Sequence, residues 1–225
     1  RVSVCYQKAN VKIIGGHAGI SVGEDGATHQ MLEDIAMMRA LPNMTVLVPA
    51  DAAQAQAMVK TMVEHNGPVY MRLSRTDSDT QHSGSFSIGK ADVLKTGKDI
   101  TIVACGIMVK QALLAAEALA KENIELEVIN AASIKPFDQE TLLQSVNKTK
   151  LVVSLEEHQI NGGLGSTVAE ILVKHLPVPQ CMIGIEDQFG QSGTVPELMA
   201  HYKLDVASIV LRIKEFYQAQ KNSNV

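Results

Sequence analysis

The sequence has 225 residues and a formal net charge of −4, and 46% of its residues are hydrophobic, 20% charged and 4% aromatic. This composition is typical of a globular protein, and the length allows one large domain or two small ones. It argues against a nucleic-acid-binding surface, which needs clustered basic residues and stacking aromatics, and against a membrane helix, which needs ~20 consecutive apolar residues.

The three cysteines, Cys5, Cys105 and Cys181, lie far apart and form no CxxC pair. This spacing argues against a disulfide framework and against a zinc site. We therefore expect buried free thiols, no metal site in this chain, and a reducing, cytoplasmic location.

Residues 1–75 alternate between short β-branched runs and longer stretches with apolar residues at helical spacing. No cap or turn residue precedes the first element, so we expect that further residues come before Arg1 in the protein. The order of the elements predicts a parallel α/β layer. The predicted elements are a strand at 11–14, a helix at 31–41 with Thr28 as N-cap, a strand at 44–48, a helix at 52–64 with Asp51 as N-cap, and a strand at 69–73.

Residues 76–84 are polar and are predicted to form a linker, followed by an extended pair within residues 86–94. A second alternation of strands and helices begins at residue 100. Its predicted strands lie at 100–104, 124–129, 151–155 and 180–185, and its predicted helices lie at 109–121, at 138–146 with Asp138 as cap, before His175, at 196–201 and at 206–217.

Repeated alternation of strands and helices implies a mostly parallel sheet with helices on both faces. The predicted fold class is therefore α/β, with two consecutive three-layer α/β units and mostly parallel sheets. We expect a first domain at residues 1–79, a linker at 80–97 and a second domain at 98–225.

A glycine-rich loop, residues 17–30, follows the first predicted strand. Glycine allows positive φ and close approach of other groups, and ligands in open α/β sheets bind just past the carboxyl ends of strands. This loop is therefore the leading candidate site. Its glycines, acids and histidines are Gly19, Gly23, Gly26, Glu24, Asp25, His17 and His29.

Several motifs, in order and with matching spacing over nearly the whole chain, resemble the transketolase family. Gly23-Glu-Asp-Gly-Ala-Thr-His-Gln30, Arg39-Ala-Leu-Pro-Asn43, Val48-Pro-Ala-Asp51 and residues 67–75 resemble its pyrimidine-binding domain. Lys135-Pro-Phe-Asp138, Glu156-Glu-His158 and Gly162-Gly-Leu-Gly165 resemble its carboxy-terminal domain. The chain is most similar to the carboxy-terminal half of a transketolase, or to the smaller subunit of a split enzyme.

The resemblance implies an enzyme of cytoplasmic carbohydrate metabolism, in the pentose phosphate pathway, that moves a two-carbon ketol unit from a ketose phosphate to an aldose phosphate. By position, His17 and Arg75 resemble the residues that hold the sugar phosphate, a task that suits the planar arginine fork. Asp25 matches an acid that binds the C2 hydroxyl of the substrate. His29 matches a histidine beside the reacting hydroxyls, where it can exchange a proton near neutral pH. Asp25 and His29 are thus the implied catalytic residues.

The family uses thiamine diphosphate and Mg²⁺, but its diphosphate-binding domain, with a Gly-Asp-Gly and Asn metal signature, has no match here. The glutamate that activates the aminopyrimidine and the aromatic wall of the pyrimidine site also have no match. We therefore expect no tight cofactor binding by this chain alone, assign no cofactor-binding residue, and expect no activity without the diphosphate-binding half. Since family sites form between subunits, the expected assembly is a homodimer or a heterotetramer.

Two alternative functions are weighed against this one. A related thiamine enzyme, 1-deoxyxylulose-5-phosphate synthase, often has an arginine after the position of His17 and an alanine at the position of Glu24, whereas this chain has Ala18 and Glu24. A non-catalytic assembly module is the other alternative. Retention of His17, Asp25, His29 and Arg75 together argues against a purely structural role for the full protein, but it is not an argument that this chain is active alone.

Three other features remain ambiguous in the sequence. Arg72 is equally consistent with a salt bridge and with a phosphate contact. The run 156–158 (Glu-Glu-His) resembles a metal or acid–base cluster, but neighbouring residues of a strand point in different directions, which favours structural bonding. Residues 162–165 precede a helix as phosphate loops do, yet lack a P-loop pattern, so we predict a tight, closely packed turn.

Overall fold

The computed structural model describes residues 1–80 and 86–223. A π-helical turn at Val2–Tyr6 and two 3₁₀ turns, at Ile20–Val22 and Gly26–Thr28, accompany the main elements. The strands are β1 Lys12–Gly15, β2 Thr45–Leu47, β3 Val69–Arg72, β4 Asp92–Lys95, β5 Ile100–Ala104, β6 Leu126–Asn130, β7 Ser133–Lys135, β8 Val152–Gln159 and β9 Gln180–Ile185. The helices are α1 Asp34–Ala40, α2 Ala52–Glu64, α3 Met108–Ala120, α4 Gln139–Thr149, α5 Leu164–His175, α6 Val195–His201 and α7 Val206–Ser223.

The larger sheet has the strand order β4-β6-β5-β8-β9, and all its pairings are parallel except that of the edge strand β4 with β6. Side chains alternate across it with period two. In β5, Ile102 and Ala104 pack with α3 and α7 on one face, while Val103 packs with α4 and α5 on the other. Burial on both faces explains the continuous apolar run of this strand.

The smaller sheet has the strand order β1-β3-β2-β7. β1, β3 and β2 run parallel, and β7 pairs antiparallel with β2, although β7 follows β6 in the chain. The second unit thus completes the sheet of the first. Val46 and Tyr70 of this sheet share one hydrophobic cluster with Val103 and Leu142 of the second unit, so the two units have a common core.

The predicted α/β class with mostly parallel sheets is confirmed. The predicted caps Asp51 and Asp138 are confirmed as well: their carboxylates accept from the backbone N–H groups of Gln54 and Thr141, at 2.9 and 3.1 Å. Each cap satisfies a donor that the first helical turn leaves open.

The prediction that Thr28 caps the first helix is wrong. Thr28 lies in the Gly26–Thr28 3₁₀ turn, and Met31 forms an isolated parallel bridge with Ala18. Because the chain is paired and extended at Met31, the helix begins only at Asp34, and its N-cap Glu33 makes no side-chain cap hydrogen bond.

Other boundaries differ from the predictions where tertiary contacts decide them. The expected extended pair at 86–94 is a turn followed by β4 at Asp92–Lys95, within the segment 80–97 that the sequence marks as a linker. β7 was not predicted, because a three-residue strand carries no periodic signal. Helix α7 continues six residues past the predicted end at 217, to Ser223. Linker residues 81–84 lie outside the described residues.

None of the described helices combines the length and the apolar character that crossing a bilayer requires. The three cysteines are free; Cys5 and Cys105 are buried, as expected, and Cys181 is partly exposed.

Replacing Asp138 by alanine should lower the free energy of unfolding by about 1–2 kcal/mol, because Asp138 also accepts from the Thr141 hydroxyl at 2.9 Å and from the Ala91 N–H at 3.1 Å. Urea unfolding followed by circular dichroism measures the change. The matched control, Gln139→Ala, alters an exposed residue of the same helix and should stay within about 0.5 kcal/mol. Equal losses for the two variants would contradict the cap.

Candidate active site

The glycine-rich loop, residues 17–30, lies across the carboxyl ends of β1 and β3. The N–H of Ala18 donates to the carbonyl of Leu73 at 3.1 Å, and that of Gly19 donates to the carbonyl of Met31 at 2.9 Å. Gly19 and Gly26 have φ values of 85° and 73°, a region that favours glycine. The loop therefore occupies the sheet edge at which open α/β folds bind ligands.

Asp25 and Arg75 form an ion pair on this loop. Arg75 Nη1 donates to Asp25 Oδ2 and to the carbonyl of Val22, each at 3.1 Å. The side chains of Arg75 and Asp25 are 51% and 48% exposed, and ion pairs this open to water contribute little to stability. The pair therefore orients two charged groups at the surface rather than holding the fold together.

His17 and His29 are both exposed on the same loop. Ala18, the residue after His17, forms an isolated parallel bridge with Met31, two residues after His29. His29 Nδ1 lies 2.9 Å from the Thr28 hydroxyl oxygen. All four residues predicted to form the site thus belong to this loop and to the segment that follows β3; their roles remain predictions.

A polar cleft adjoins the ion pair. Its walls are residues 21–24, Arg75 and Thr76 of the first unit and residues 193–196 of the second unit. The buried side chain of Gln30 links the same two parts, since its Nε2 donates to the carbonyls of Gly23 and Gln191 at 3.1 and 3.0 Å. Both units therefore build the surroundings of the candidate site.

Beneath the loop, Arg72 lies in a buried polar network. Its Nε lies 3.1 and 3.0 Å from the two Asp34 carboxylate oxygens, and its Nη2 donates to the carbonyls of Met31 and Glu157 at 3.3 and 2.8 Å. The Tyr70 hydroxyl donates to Asp34 Oδ2 at 2.7 Å, and burial together with the Asp34 charge raises the pKa of Tyr70. Arg72 thus forms a salt bridge, which decides between the two readings left open by the sequence.

Glu157, at the end of β8, reaches into the glycine loop. Its carboxylate accepts a short hydrogen bond from the N–H of Ser21, and Oε2 accepts from the Ser21 hydroxyl at 3.2 Å. A Cβ on Gly19 would lie 2.3 Å from the Glu157 carboxyl carbon, so this approach requires glycine. Burial raises the pKa of Glu157 to about 7, against the opposing effects of Arg72 and the Ser21 hydrogen bonds.

Glu156 points away from the loop, to the N-terminus of α5. Its two oxygens accept from the N–H groups of Leu164 and Gly165 at 2.7 and 2.8 Å. Burial raises the pKa of Glu156 to about 8, although these hydrogen bonds act against the rise. A side chain of the protein therefore occupies the position that a phosphate would take, and the prediction of a closely packed turn at 162–165 is confirmed.

His158 makes a third set of contacts, with α1. Its Nδ1 lies 2.7 Å from the carbonyl of Gln159, and its Nε2 accepts from the N–H of Ala36 at 3.3 Å. This pattern requires a neutral ring with the proton on Nδ1. Burial lowers the pKa of His158 to about 4. Glu156 and His158 share one face of the strand, where His158 Nδ1 lies 3.6 Å from Glu156 Oε2, whereas Glu157 faces the glycine loop. All three side chains of the 156–158 run therefore make structural contacts.

Comparison with known proteins gives two family matches that together span most of the chain. The profile described as "Transketolase, pyrimidine binding domain" matches residues 1–80, and the profile described as "Transketolase, C-terminal domain" matches residues 89–209. The chain belongs to the transketolase family. The resemblance drawn from the sequence motifs is therefore confirmed.

Relatives of this transketolase-family chain include parts of divided enzymes. It is 46% identical to a "Putative transketolase C-terminal section" of Methanocaldococcus jannaschii, over 94% of this chain and 68% of that protein. It is 43% identical to a "6-deoxy-6-sulfo-D-fructose transketolase subunit SqwH" of Clostridium sp. strain MSTE9, over 93% of this chain and 66% of that protein. The chain thus spans about two thirds of the length of these relatives.

A solved structure described as "Split gene transketolase, inactive beta4 tetramer" matches with a TM-score of 0.89 and 47% identity. The match covers 96% of this chain and 69% of that one. The fold of this transketolase-family chain is therefore that of a split-gene relative.

The buried acid Asp34 and the loop residue Ser21 were not singled out by the sequence motifs of this transketolase-family chain. A partial signal exists, because Tyr70 and Arg72 are two residues apart in β3 and so share one face. That spacing points to a common buried partner but does not identify it. Among the described residues, no three or more His, Cys, Asp or Glu side chains are grouped in a way that suits a metal ion.

Arg72→Met should lower the free energy of unfolding by about 3–5 kcal/mol, because it leaves the Asp34 carboxylate buried without its cation. Urea unfolding measures the loss, and the double variant Arg72→Met/Asp34→Leu should recover much of it. The control Arg212→Met removes a pair with Glu186 in which the side chains are 35% and 51% exposed, and should cost under about 1 kcal/mol. A double variant less stable than Arg72→Met would contradict a buried charge pair.

His158 should stay neutral from about pH 5 to pH 8, with its proton on Nδ1. Nitrogen-15 NMR of the imidazole ring measures both the charge and the tautomer. In urea-unfolded protein the same ring should titrate near its ordinary value of 6.5. Because the unfolded chain binds this proton first as the pH falls, the contribution of His158 to stability is present above pH 6.5 and is lost toward pH 4. Protonation of the folded ring near pH 6.5 would contradict the assignment.

Proposed function

We propose that this chain forms the substrate-binding side of a thiamine-diphosphate-dependent transketolase and acts only with a partner that carries the diphosphate-binding half. The reaction is transfer of a two-carbon ketol unit from a ketose phosphate to an aldose phosphate. The observation that carries the proposal is the Arg75–Asp25 ion pair, exposed beside a polar cleft at the carboxyl ends of β1 and β3. A cation and an acid in that position suit a phosphorylated polyol.

The ion pair assigns separate atoms to separate tasks. Arg75 uses Nη1 for Asp25 and Val22, so we assign its Nη2 edge, together with His17, to the substrate phosphate. Asp25 uses Oδ2 for Arg75, so we assign Oδ1 to accept a hydrogen bond from the substrate hydroxyl. His29 holds or moves a proton at that hydroxyl, which is the usual task of an exposed imidazole at a reacting group.

In the assembled enzyme, bound thiamine diphosphate would supply carbanion chemistry toward the ketose carbonyl, which side chains do not provide. The described residues of this chain show no grouped metal ligands, and the motifs for the diphosphate have no match in the sequence. We therefore assign the binding of the cofactor and Mg²⁺ to the partner. Relatives are named for different sugars, such as 6-deoxy-6-sulfo-D-fructose and apulose 4-phosphate. We propose the sugar phosphates of the pentose phosphate pathway as the first substrates to test.

We also propose that the enzyme is cytoplasmic and that it assembles as a homodimer or a heterotetramer. In the chain, residues 1–79 form the first domain, residues 80–97 the linker and residues 98–225 the second domain. The free cysteines support a reducing compartment, and the names of relatives as subunits or sections support a divided enzyme.

The test reconstitutes the full-length polypeptide with the diphosphate-binding subunit, thiamine diphosphate and Mg²⁺, and measures ketol transfer between sugar phosphates. His29→Ala should lower kcat by about 10²- to 10⁴-fold, because it removes the proton-exchanging group. Arg75→Met should instead raise the KM for phosphorylated sugars. The matched control, His175→Ala, alters an exposed histidine at the end of α5 and should keep the wild-type rate.

The proposed reaction and the proposed role of His29 are contradicted by different results. No ketol transfer by the wild-type assembly, tested over a panel of ketose and aldose phosphates, would overturn the proposed function. Transfer at the wild-type rate by His29→Ala would leave the function in place and remove the role of that residue.

A further inference from the structure

We infer that Glu157, a residue of the second unit, is a positioning residue for the substrate site and acts through Ser21 on Arg75 and on the glycine loop. The inference rests on the proposed function, because that function makes the loop a substrate site. The hydrogen bonds that link Glu157 to the loop lie within the chain and do not depend on that function.

The first step is the contact between Glu157 and the loop. Ser21 N–H and the Ser21 hydroxyl both bond to the Glu157 carboxylate. Glu157 and Ser21 are only 2% and 1% exposed, so water does not replace these partners. The close approach over Gly19, where φ is 85°, leaves no room for a side chain at that position.

The second step leads from Ser21 to both neighbours of Arg75. The hydroxyl oxygens of Ser21 and Ser74 lie 3.0 Å apart. The Thr76 hydroxyl donates to the Ser21 carbonyl at 3.1 Å, and the Thr76 N–H donates to the Ser74 hydroxyl at 3.1 Å. Arg75 is therefore held between two residues that are both bonded to Ser21, while its own side chain is exposed.

The third step is the effect on the substrate-binding atoms. Arg75 Nη1 donates to the Val22 carbonyl, one residue after Ser21, and to Asp25. A shift of Ser21 therefore moves the backbone beneath Arg75 and the carbonyl that orients its guanidinium. Displacements of about 1 Å at such positions are sufficient to weaken substrate alignment strongly.

The strand offers a matched control in Glu156. Both acids are buried at the same strand end, at 1% and 2% exposure, but Glu156 bonds to α5 and has no hydrogen bond to the loop. Glu156→Met and Glu157→Met therefore remove equally buried carboxylates with different consequences for the site. Glutamine at position 157 retains an acceptor for the Ser21 N–H and gains a donor for its hydroxyl, so it is the conservative variant.

The experiment uses the reconstituted assembly and measures KM for the sugar phosphate, kcat and amide hydrogen exchange. Glu157→Met should raise KM by at least about tenfold and speed exchange at residues 19–22. Glu157→Gln should restore KM to within about threefold of wild type, and Glu156→Met should leave KM unchanged while both Met variants lose stability. Ser74→Ala is a milder change in the same hydrogen-bonded path and should also raise KM. It provides the test of the path in case Glu157→Met does not fold.

Equal KM values for Glu156→Met and Glu157→Met, or a wild-type KM in Ser74→Ala, would overturn the inference. If the wild-type assembly shows no ketol transfer, the proposed function fails by itself. Hydrogen exchange at residues 19–22 then still decides the positioning role, because faster exchange in Glu157→Met but not in Glu156→Met supports it and equal exchange overturns it.

Discussion

The junction of the two units depends on the buried guanidinium of Arg72. It bonds to Asp34 at the start of α1 and to backbone carbonyls of Met31 and Glu157, so three parts of the chain meet at one cation. A buried charge without its partners costs several kcal/mol of folding free energy, so these hydrogen bonds are needed to compensate the burial of the Arg72 guanidinium. Because β3 carries Arg72, the segment that follows it, which leads to Arg75, starts from a fixed point.

The second unit is part of the candidate site rather than a separate attachment. It completes the smaller sheet with β7, and the loop residue Ile20 packs in the same hydrophobic cluster as α3 and α7. Gln30 binds the carbonyl of Gln191 across the boundary, and residues 193–196 form one wall of the cleft. The glycine-rich loop is therefore packed and hydrogen-bonded against the carboxy-terminal half.

The end of β8 shows how the contacts between units are distributed. Glu156 satisfies the N-terminus of α5, Glu157 holds the glycine loop, and His158 bonds to α1. Alternation along the strand places Glu157 on one face and Glu156 and His158 on the other, where His158 Nδ1 lies 3.6 Å from Glu156 Oε2. Burial raises the pKa values of both acids, and hydrogen bonds from backbone N–H groups offset part of that cost.

Local sequence patterns were sufficient to predict the α/β class, the caps Asp51 and Asp138, the glycine turns, and the loop that contains His17, Asp25 and His29, because periodicity, capping and backbone freedom are local properties. Motifs in a matching order also indicated the transketolase family. Tertiary packing determines three further features: β7 joins the first sheet, the first helix begins at Asp34, and Arg72 pairs with an acid rather than with a ligand. Those outcomes depend on which distant groups become buried together, since a charge or a short strand has no preferred partner until the core has formed.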